Sequence, residues 1–571
     1  MKIFKLFPLA CAALMMSACS SDNDIEGGAT KPGSDPQYLA VNIVNVGTTP
    51  TRAGDYENGT TEESTIKKVR FYFFNGDGSP YLIKPTGSEV TGGENVNWLE
   101  VSNPTDATTT PGSSTSVEKI TNAVLVINGV QNVAPSAIVA VVNPETVEST
   151  TLKDGKTMRL SELRNTAVGQ NFYKKDASTG AVSDFVMSNS VYVNTGEDVC
   201  ASLVAGHVAT SPEDAKAKAV DLYVERVVAK VTANVDDTAF KLGDGTNWDA
   251  TKYGTKTAVG KIGDNEVYAV IEGWGLASEN GKAEVEKKVD KTWSDGNLGF
   301  LTPWTTSDYH RCFWEQSVAF DAGIGGNQPV NHKYNDLKAK MNDVLYTLPN
   351  TPTGVANLQD NDLTKFIVAA TLKYMDADGN WHNADICRYN GVQFLGVNNL
   401  KKQVALTFSQ YYTSTDAHTY TQLSASDIDF KDPDGTMQQY RVTPTLAADP
   451  TGKKEYYTKT PGTTSSYTKV EKSTVLAAIE ASKAEIRTDG KAYYYVPIKH
   501  LGNTGEVAEY GIVRNHFYKI TLSGITGFGT PVYNPDVVID PTVPSYSDTY
   551  LAARVQVLQW RVVNQNVSLG K

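Results

Sequence analysis

Tyr223-Val-Glu-Arg-Val-Val-Ala-Lys-Val-Thr-Ala-Asn-Val235 is the stretch that decides the fold class. Tyr223, Val227, Ala229, Val231, Ala233 and Val235 fall on one side of an extended chain, so the stretch reads as one long strand at the centre of a sheet. Upstream the same period recurs. Residues 66–74 put Val69, Phe71 and Phe73 on one side, and residues 37–46 put Leu39, Val41 and Ile43 on one side with Ala40 and Asn42 opposite. Further β runs are 123–127, 137–142 and 184–193. Downstream, the polar, Gly-rich passage 236–262 places a domain boundary.

The second half reads less evenly. It holds a Trp-rich region from Trp274 to Trp314, strands near 365–375 and 402–409, and a helix over 473–487 with Leu476, Ile479 and Ile486 on one face behind a Ser473-Thr474 N-cap. Residues 492–498 form an aromatic strand and residues 515–522 another. Four prolines between Pro531 and Pro544 then make a stiff connector that cannot be central sheet. From Leu551 the apolar residues are Ala553, Val555 and Val557, and then Leu558, Trp560 and Val562; the change of parity implies a bulge or bend near Val557-Leu558. A long apolar strand behind a Pro-rich arm is either a last core strand or a strand meant for another chain. No heptads and no repeat of fixed period occur.

The composition agrees with a mainly β protein. Among 571 residues there are 29 Tyr and 17 Phe, with long polar loops, which favours strands over helical bundles. The net charge is −12 with no basic block to follow phosphates, so nucleic acid is not an expected partner.

Residues 1–19 carry Lys2 and Lys5, an apolar run from Leu6 to Met16, and Ser17-Ala18-Cys19, the layout of an export signal. The run is shorter than the roughly 20 residues that span a bilayer. Small residues before Cys19, and the polar tether that follows it, resemble a bacterial lipobox in which Cys19 becomes the lipidated first residue. Residues 47–54 are a polar, Gly/Pro-bounded loop with the single Arg52, an easy protease target. Cys11 leaves with the signal; Cys200, Cys312 and Cys387 remain, too few and too far apart for a disulfide framework, and read as buried thiols or one pair with a spare.

Chemistry-bearing motifs are few. The sequence has no Gly-x-Ser-x-Gly elbow, no His-Glu-x-x-His and no Cys-x-x-Cys, which removes the strongest support for hydrolase and zinc readings. Gly254 to Ile262 misses the phosphate-loop spacing and reads as a β-turn. Asp376, Asp378 and Asn380 are a weak cation candidate, since no distal Glu completes a calcium loop. His310 with Cys312 and His382 with Cys387 are pairs and do not make a metal site. Trp304 and Trp314 read as core or interface before a sugar platform. No cofactor is expected.

Several stretches together resemble the fimbrillins of Bacteroidales bacteria, pilins of the type V kind, most closely the major subunit of the short (minor) fimbrium family. They are the lipobox at Cys19, Thr-Arg52-Ala-Gly, Phe185-Val-Met-Ser-Asn-Ser-Val-Tyr-Val193, Val224-Glu-Arg-Val-Val-Ala-Lys-Val231, Tyr510-Gly-Ile-Val-Arg-Asn-His-Phe-Tyr-Lys-Ile520 and Val555-Gln-Val-Leu-Gln-Trp560. Residues 236–470 match no motif of that kind. The resemblance implies two β-sandwich-like (transthyretin-like) domains with few short helices and an extended C-terminal donor strand. The divisions are a lipoprotein signal peptide at 1–19, a propeptide with a removable strand at 20–52, β-sandwich domains at 53–235 and 236–545, and a donor-strand arm at 546–571.

It further implies a non-enzymatic stalk subunit. The precursor sits on the outer membrane through its lipid, and an arginine-specific surface protease cuts between Arg52 and Ala53. The strand bearing Leu39, Val41 and Ile43 leaves, and the C-terminal strand of a second copy (Ala553, Val555, Val557, Leu558, Trp560, Val562) takes its place. Partners would be further copies, anchor and tip subunits, and host or bacterial surface ligands in adhesion and biofilm formation. The competing readings are an outer-membrane-anchored glycan-binding lipoprotein, which needs no cut at Arg52, and a secreted enzyme whose convergent residues one sequence does not reveal.

Overall fold

Ala137–Val142 is apolar at every position and buried on both faces, as a central strand must be. In the computed structural model it lies inside a nine-stranded sheet. The structure describes residues 37–46, 59–84, 94–106, 117–130, 133–147, 152, 155–194, 197–289, 315–321, 326–352, 362–433, 440–463, 465–500, 509–541 and 550–558. The chain is mainly β, with short helices.

The main path of this first sheet runs Trp98–Ser102, Lys68–Phe74, Ala137–Val142, Met187–Asn189, Val220–Arg226, Gln37–Val46, Val117–Ile127, Thr105–Asp106. One continuous core that includes Phe71, Phe73, Leu125, Val139, Leu222 and Leu39 forms against it. In the second half, two sheets share one core. One runs Phe240–Leu242, Tyr253–Thr255, Asn265–Ala277, Lys365–Met375, Lys491–Pro497, Thr530–Pro531; the other runs Val344–Thr347, Ala229–Val235, Phe517–Thr526, Tyr550–Leu558. Val231, Ile520 and Tyr518 of the latter meet Trp274, Phe366 and Tyr494 of the former.

The stretch 223–235 is not one strand but two. Val220–Arg226 belongs to the first sheet, and Ala229–Val235 pairs with Phe517–Thr526 and Val344–Thr347 of the second half. The chain changes sheets at Val227-Val228, ahead of the polar passage 236–262. Residues 229–235, grouped by sequence with the first domain, thus pair with the second. The alternation reads straight through the crossing because both strands and both crossing valines are buried.

The two halves repeat one pattern of pairing. In each, the first strand lies between a late strand, in parallel, and a middle strand, antiparallel: Gln37–Val46 between Val220–Arg226 and Val117–Ile127, and Ala229–Val235 between Phe517–Thr526 and Val344–Thr347. No sequence repeat announces it, because the pattern is one of topology.

Residues 376–490 leave and rejoin the sheet between Lys365–Met375 and Lys491–Pro497, which are antiparallel neighbours. They build their own core on Leu400, Val404, Val475, Ile479 and Ile486. Two expectations fail here. Residues 402–409 lie largely in the helix Val397–Thr407, whose Leu400 and Val404, four apart, are buried on one face. The helix expected over 473–487 is Lys472–Glu480, preceded by Glu471 without a side-chain cap. Ile486 lies instead in the strand Ala484–Arg487, drawn out by pairing with Ile386–Tyr389. Among the described residues no helix is long and apolar enough to cross a membrane.

Candidate functional site

Gln37–Val46 has a place inside the first sheet. Leu39 stands opposite Leu125, Val41 opposite both Ala123 and Val220, and Ile43 opposite Leu222. Leu39 and Val41 are buried. The entry of the strand is held by backbone bonds in both directions between Tyr38 and Ala209, each 2.8 Å. The helix Pro212–Ala217, capped by Ser211, packs against it. Taking this strand away would open a slot between Val220–Arg226 and Val117–Ile127. It would expose two ladders of backbone groups and the apolar floor of Leu125, Ala123, Val220 and Leu222, at about 1.5–3 kcal/mol for each large side chain.

Where the slot ends, charges are buried. Glu63 lies in the helix Thr61–Ser64, fixed by a capping box with Thr60. Its carboxylate is 2.7 Å from Lys230 Nζ and accepts a hydrogen bond from the Tyr346 hydroxyl. Arg226 Nε donates to the Glu63 carbonyl (2.8 Å), and Arg226 Nη1 to Asn515 Oδ1 (3.2 Å). Burial by itself would raise the Glu63 carboxyl; Lys230 first, then Tyr346, hold it below the usual range.

A second node fastens the halves together. Residues 278–289 follow the long strand Asn265–Ala277 and reach into the first half, where Ala283 and Val285 join its core. Val285 donates to Thr166 O (3.1 Å), and Ser188 Oγ donates to Val285 O (2.6 Å). Arg514 donates to Glu284 O and Val285 O, both 2.9 Å, and pairs with Glu315 at 3.0 Å. Lys287 and Glu225 pair at 2.7 Å, both fully buried. The sequence signal for both nodes was present: charged residues inside the apolar runs at 224–231 and 510–520. Strand periodicity alone does not say whether such charges are buried or solvated.

The C-terminal strand Tyr550–Leu558 lies antiparallel on Phe517–Thr526, at the edge of its own sheet. Ala553 stands opposite Leu522, Val555 opposite Ile520, Val557 opposite Tyr518 and Leu558 opposite Phe517. The register is unbroken across Val557-Leu558; the irregularity falls between Leu522 and Gly524. Trp560 and Val562 lie outside the described residues, as do Cys19, Arg52, Ala53, Trp304, Trp314, His310 and Cys312.

Asp376 is occupied by its own turn. It accepts from the Asp378 and Asn380 backbone (3.0 and 2.8 Å), and its Oδ2 is 2.7 Å from His382 Nε2. The His382 contact and then the Asn380 N–H bring its carboxyl down to about 2. Among the described residues no group of three or more His, Cys, Asp or Glu is placed to hold a metal. Gly254 and Gly260 stand in the short strands Tyr253–Thr255 and Gly260–Ile262. A Cβ on Gly254 would meet the Trp248 ring at 2.6 Å, so packing accounts for that glycine. Cys200 and Cys387 are buried, and burial pushes the Cys387 thiol up to about 12.

Residues 487–566 match the family model described as major fimbrial subunit protein type IV, fimbrillin, C-terminal. That span runs from the end of the inserted region through the C-terminal strand. No curated protein matches the chain. Among solved structures, a putative cell adhesion protein from Parabacteroides distasonis ATCC 8503 aligns at 12% identity over 95% of this chain and 99% of its own, with a TM-score of 0.36. A fimbrilin (fimA) from Porphyromonas gingivalis W83 aligns at 12% identity over 92% and 99%, TM-score 0.34. The tip fimbrial protein Mfa3 from Porphyromonas gingivalis, with C-terminal truncation, aligns at 9% identity over 90% and 99%, TM-score 0.27. Through residues 487–566 this chain resembles the fimbrillins, the proteins of major fimbrial subunits.

Proposed function

We propose that the chain is the stalk subunit of a cell-surface fimbrium. It is exported as a lipoprotein on Cys19, reaches the outer membrane, and is cut between Arg52 and Ala53 by an arginine-specific surface protease. Release of residues 20–52 takes the strand Gln37–Val46 out of the first sheet. The C-terminal strand of a second copy, from about residue 551 onward, enters the slot, and the head-to-tail contact repeats into a filament that anchor and tip subunits complete. Adhesion and biofilm formation then fall to the filament. The observation that carries this reading is the place of Gln37–Val46: an interior strand that the chain reaches before the Arg52 junction, and hence one that a single cut frees. Residues 1–52 carry four basic and four acidic side chains, so the cut leaves the net charge at −12.

The test is the N-terminal sequence of native protein stripped from the cell surface, read separately on high-mass and monomeric material. The expected result is Ala53 in the high-mass form. A chain that begins at lipidated Cys19 throughout, with no ladder of multimers, overturns the polymer and leaves an anchored binding protein.

A further inference from the structure

The slot described above has two walls, and they are held differently. Among the described residues, Val117–Ile127 pairs with Gln37–Val46 on one side and only with the short strand Thr105–Asp106 on the other. Val220–Arg226 has the three-residue strand Met187–Asn189 on its far side, bonded at Val224, Glu225 and Arg226. When Gln37–Val46 leaves, positions 220–222 of this wall lose the ladder that set their register, while Ser190 N–H still donates to Tyr223 O at 2.8 Å. The wall is then held from Tyr223 to its end. Arg226 is two residues beyond Val224, the partner of Asn45, and it donates to the carbonyl of Glu63. Glu63 is fully buried and bound in turn by Lys230 and Tyr346, both of the second half. Lys230 N–H also donates to His516 O at 2.9 Å, and Asn515, whose side chain takes the other end of Arg226, donates its N–H to Val228 O at 2.8 Å. These bonds involve no residue of 1–52, so the cut breaks none of them.

We propose that Glu63 is a positioning residue for strand replacement: through Arg226, Lys230 and Tyr346 it ties the wall Val220–Arg226 to the second half, so that the emptied slot keeps the register an incoming strand must match. This rests on the strand-replacement reading above. The arrangement also explains why a carboxylate is buried in a helix as short as Thr61–Ser64. The helix comes soon after the Arg52 junction in the chain, and it meets the wall at its Arg226 end.

The experiment compares wild type, Glu63→Gln and Tyr346→Phe, each as intact precursor and after cutting at Arg52 and separation from the released segment. Two quantities are measured: amide exchange over residues 220–226, and association of a synthetic peptide of residues 546–571. In the precursors, exchange at 220–226 should be alike, because the resident strand sets the register. After the cut, Glu63→Gln should exchange about tenfold faster there than wild type and take up the peptide about tenfold more slowly. Tyr346→Phe, which removes one hydrogen bond and keeps the ion pair, should lie between; it carries the test if Glu63→Gln does not fold. Equal exchange and equal uptake in the cut forms overturn the proposal, as does faster exchange already in the precursor, which would make Glu63 a general stabiliser. If cut wild type takes up no peptide, strand replacement itself falls, while the exchange difference still decides what Glu63 does.

Discussion

Glu286 sits among buried charges. It is fully buried, and burial pushes its carboxyl up to about 8 against the pull of Arg514 and Arg164, with Glu225 adding to the rise. The direction of its effect on stability follows. Below about pH 4.5 the group is protonated in both states and contributes nothing; above that the unfolded chain loses the proton first, so folding stability falls as pH rises and levels off above about pH 8. Glu286→Gln removes this fall. Its advantage over wild type in urea unfolding should grow between about pH 5 and 8, towards something on the order of 3–5 kcal/mol; a difference that is flat with pH would mean that Glu286 is ionised in place. Trp274 gives a plainer case. It is fully buried, its ring lies 5.7 Å from that of Phe366, and its Nε1 donates to Lys340 O at 2.8 Å. Trp274→Ala should cost about 3–5 kcal/mol by the same measurement.

Elements were legible in proportion to how far local pattern decides them. Ala137–Val142 and the strands near 66–74 and 365–375 could be placed from β-branched and aromatic periodicity, since nothing in the tertiary structure competes with it. Three readings went astray for physical reasons. Periodicity at 223–235 does not register a change of sheet, because a crossing between two buried strands needs no polar break. At 402–409, Leu400 lay just outside the window that would have shown a four-residue spacing with Val404. At 484–487 a strand partner ninety-odd residues away outweighed helical preference, as long-range pairing often does. Gln37–Val46 was legible as a strand, but its interior place was not, since parallel pairing with Val220–Arg226 leaves no local mark. That place sets a test at this scale. Leu39→Ala should destabilise the precursor by about 2–5 kcal/mol and speed loss of residues 20–52 after the cut. The cut protein, which no longer contains residue 39, should melt as wild type does. A precursor indifferent to the change would mean that the strand contributes little to its sheet.

At the scale of the whole molecule the strand-replacement proposal makes Gln37–Val46 and the C-terminal strand complementary parts of one contact, and each can be removed singly. Tyr550–Leu558 is an edge strand on Phe517–Thr526, whose other side remains paired with Ala229–Val235. Pro531 is still inside the sheet and Val532 and Ile539 are in a core, so the body of the second half is built on residues up to 539 that such a deletion leaves in place. Deleting residues 546–571 should therefore leave a folded monomer with a single cooperative transition at lowered temperature, and no multimers after cutting. Arg52→Ala should give the complementary defect: a folded monomer that keeps its own strand and accepts none, yet still donates its C-terminal strand to a cut partner. Mixing the two is decisive. The deletion variant, cut, has an open slot and no strand to give; Arg52→Ala has a strand to give and no slot. Head-to-tail exchange predicts that together they form a dimer that grows no further, seen as one discrete species by light scattering. Longer ladders from the mixture, or none, would show that the ends do not meet in this way.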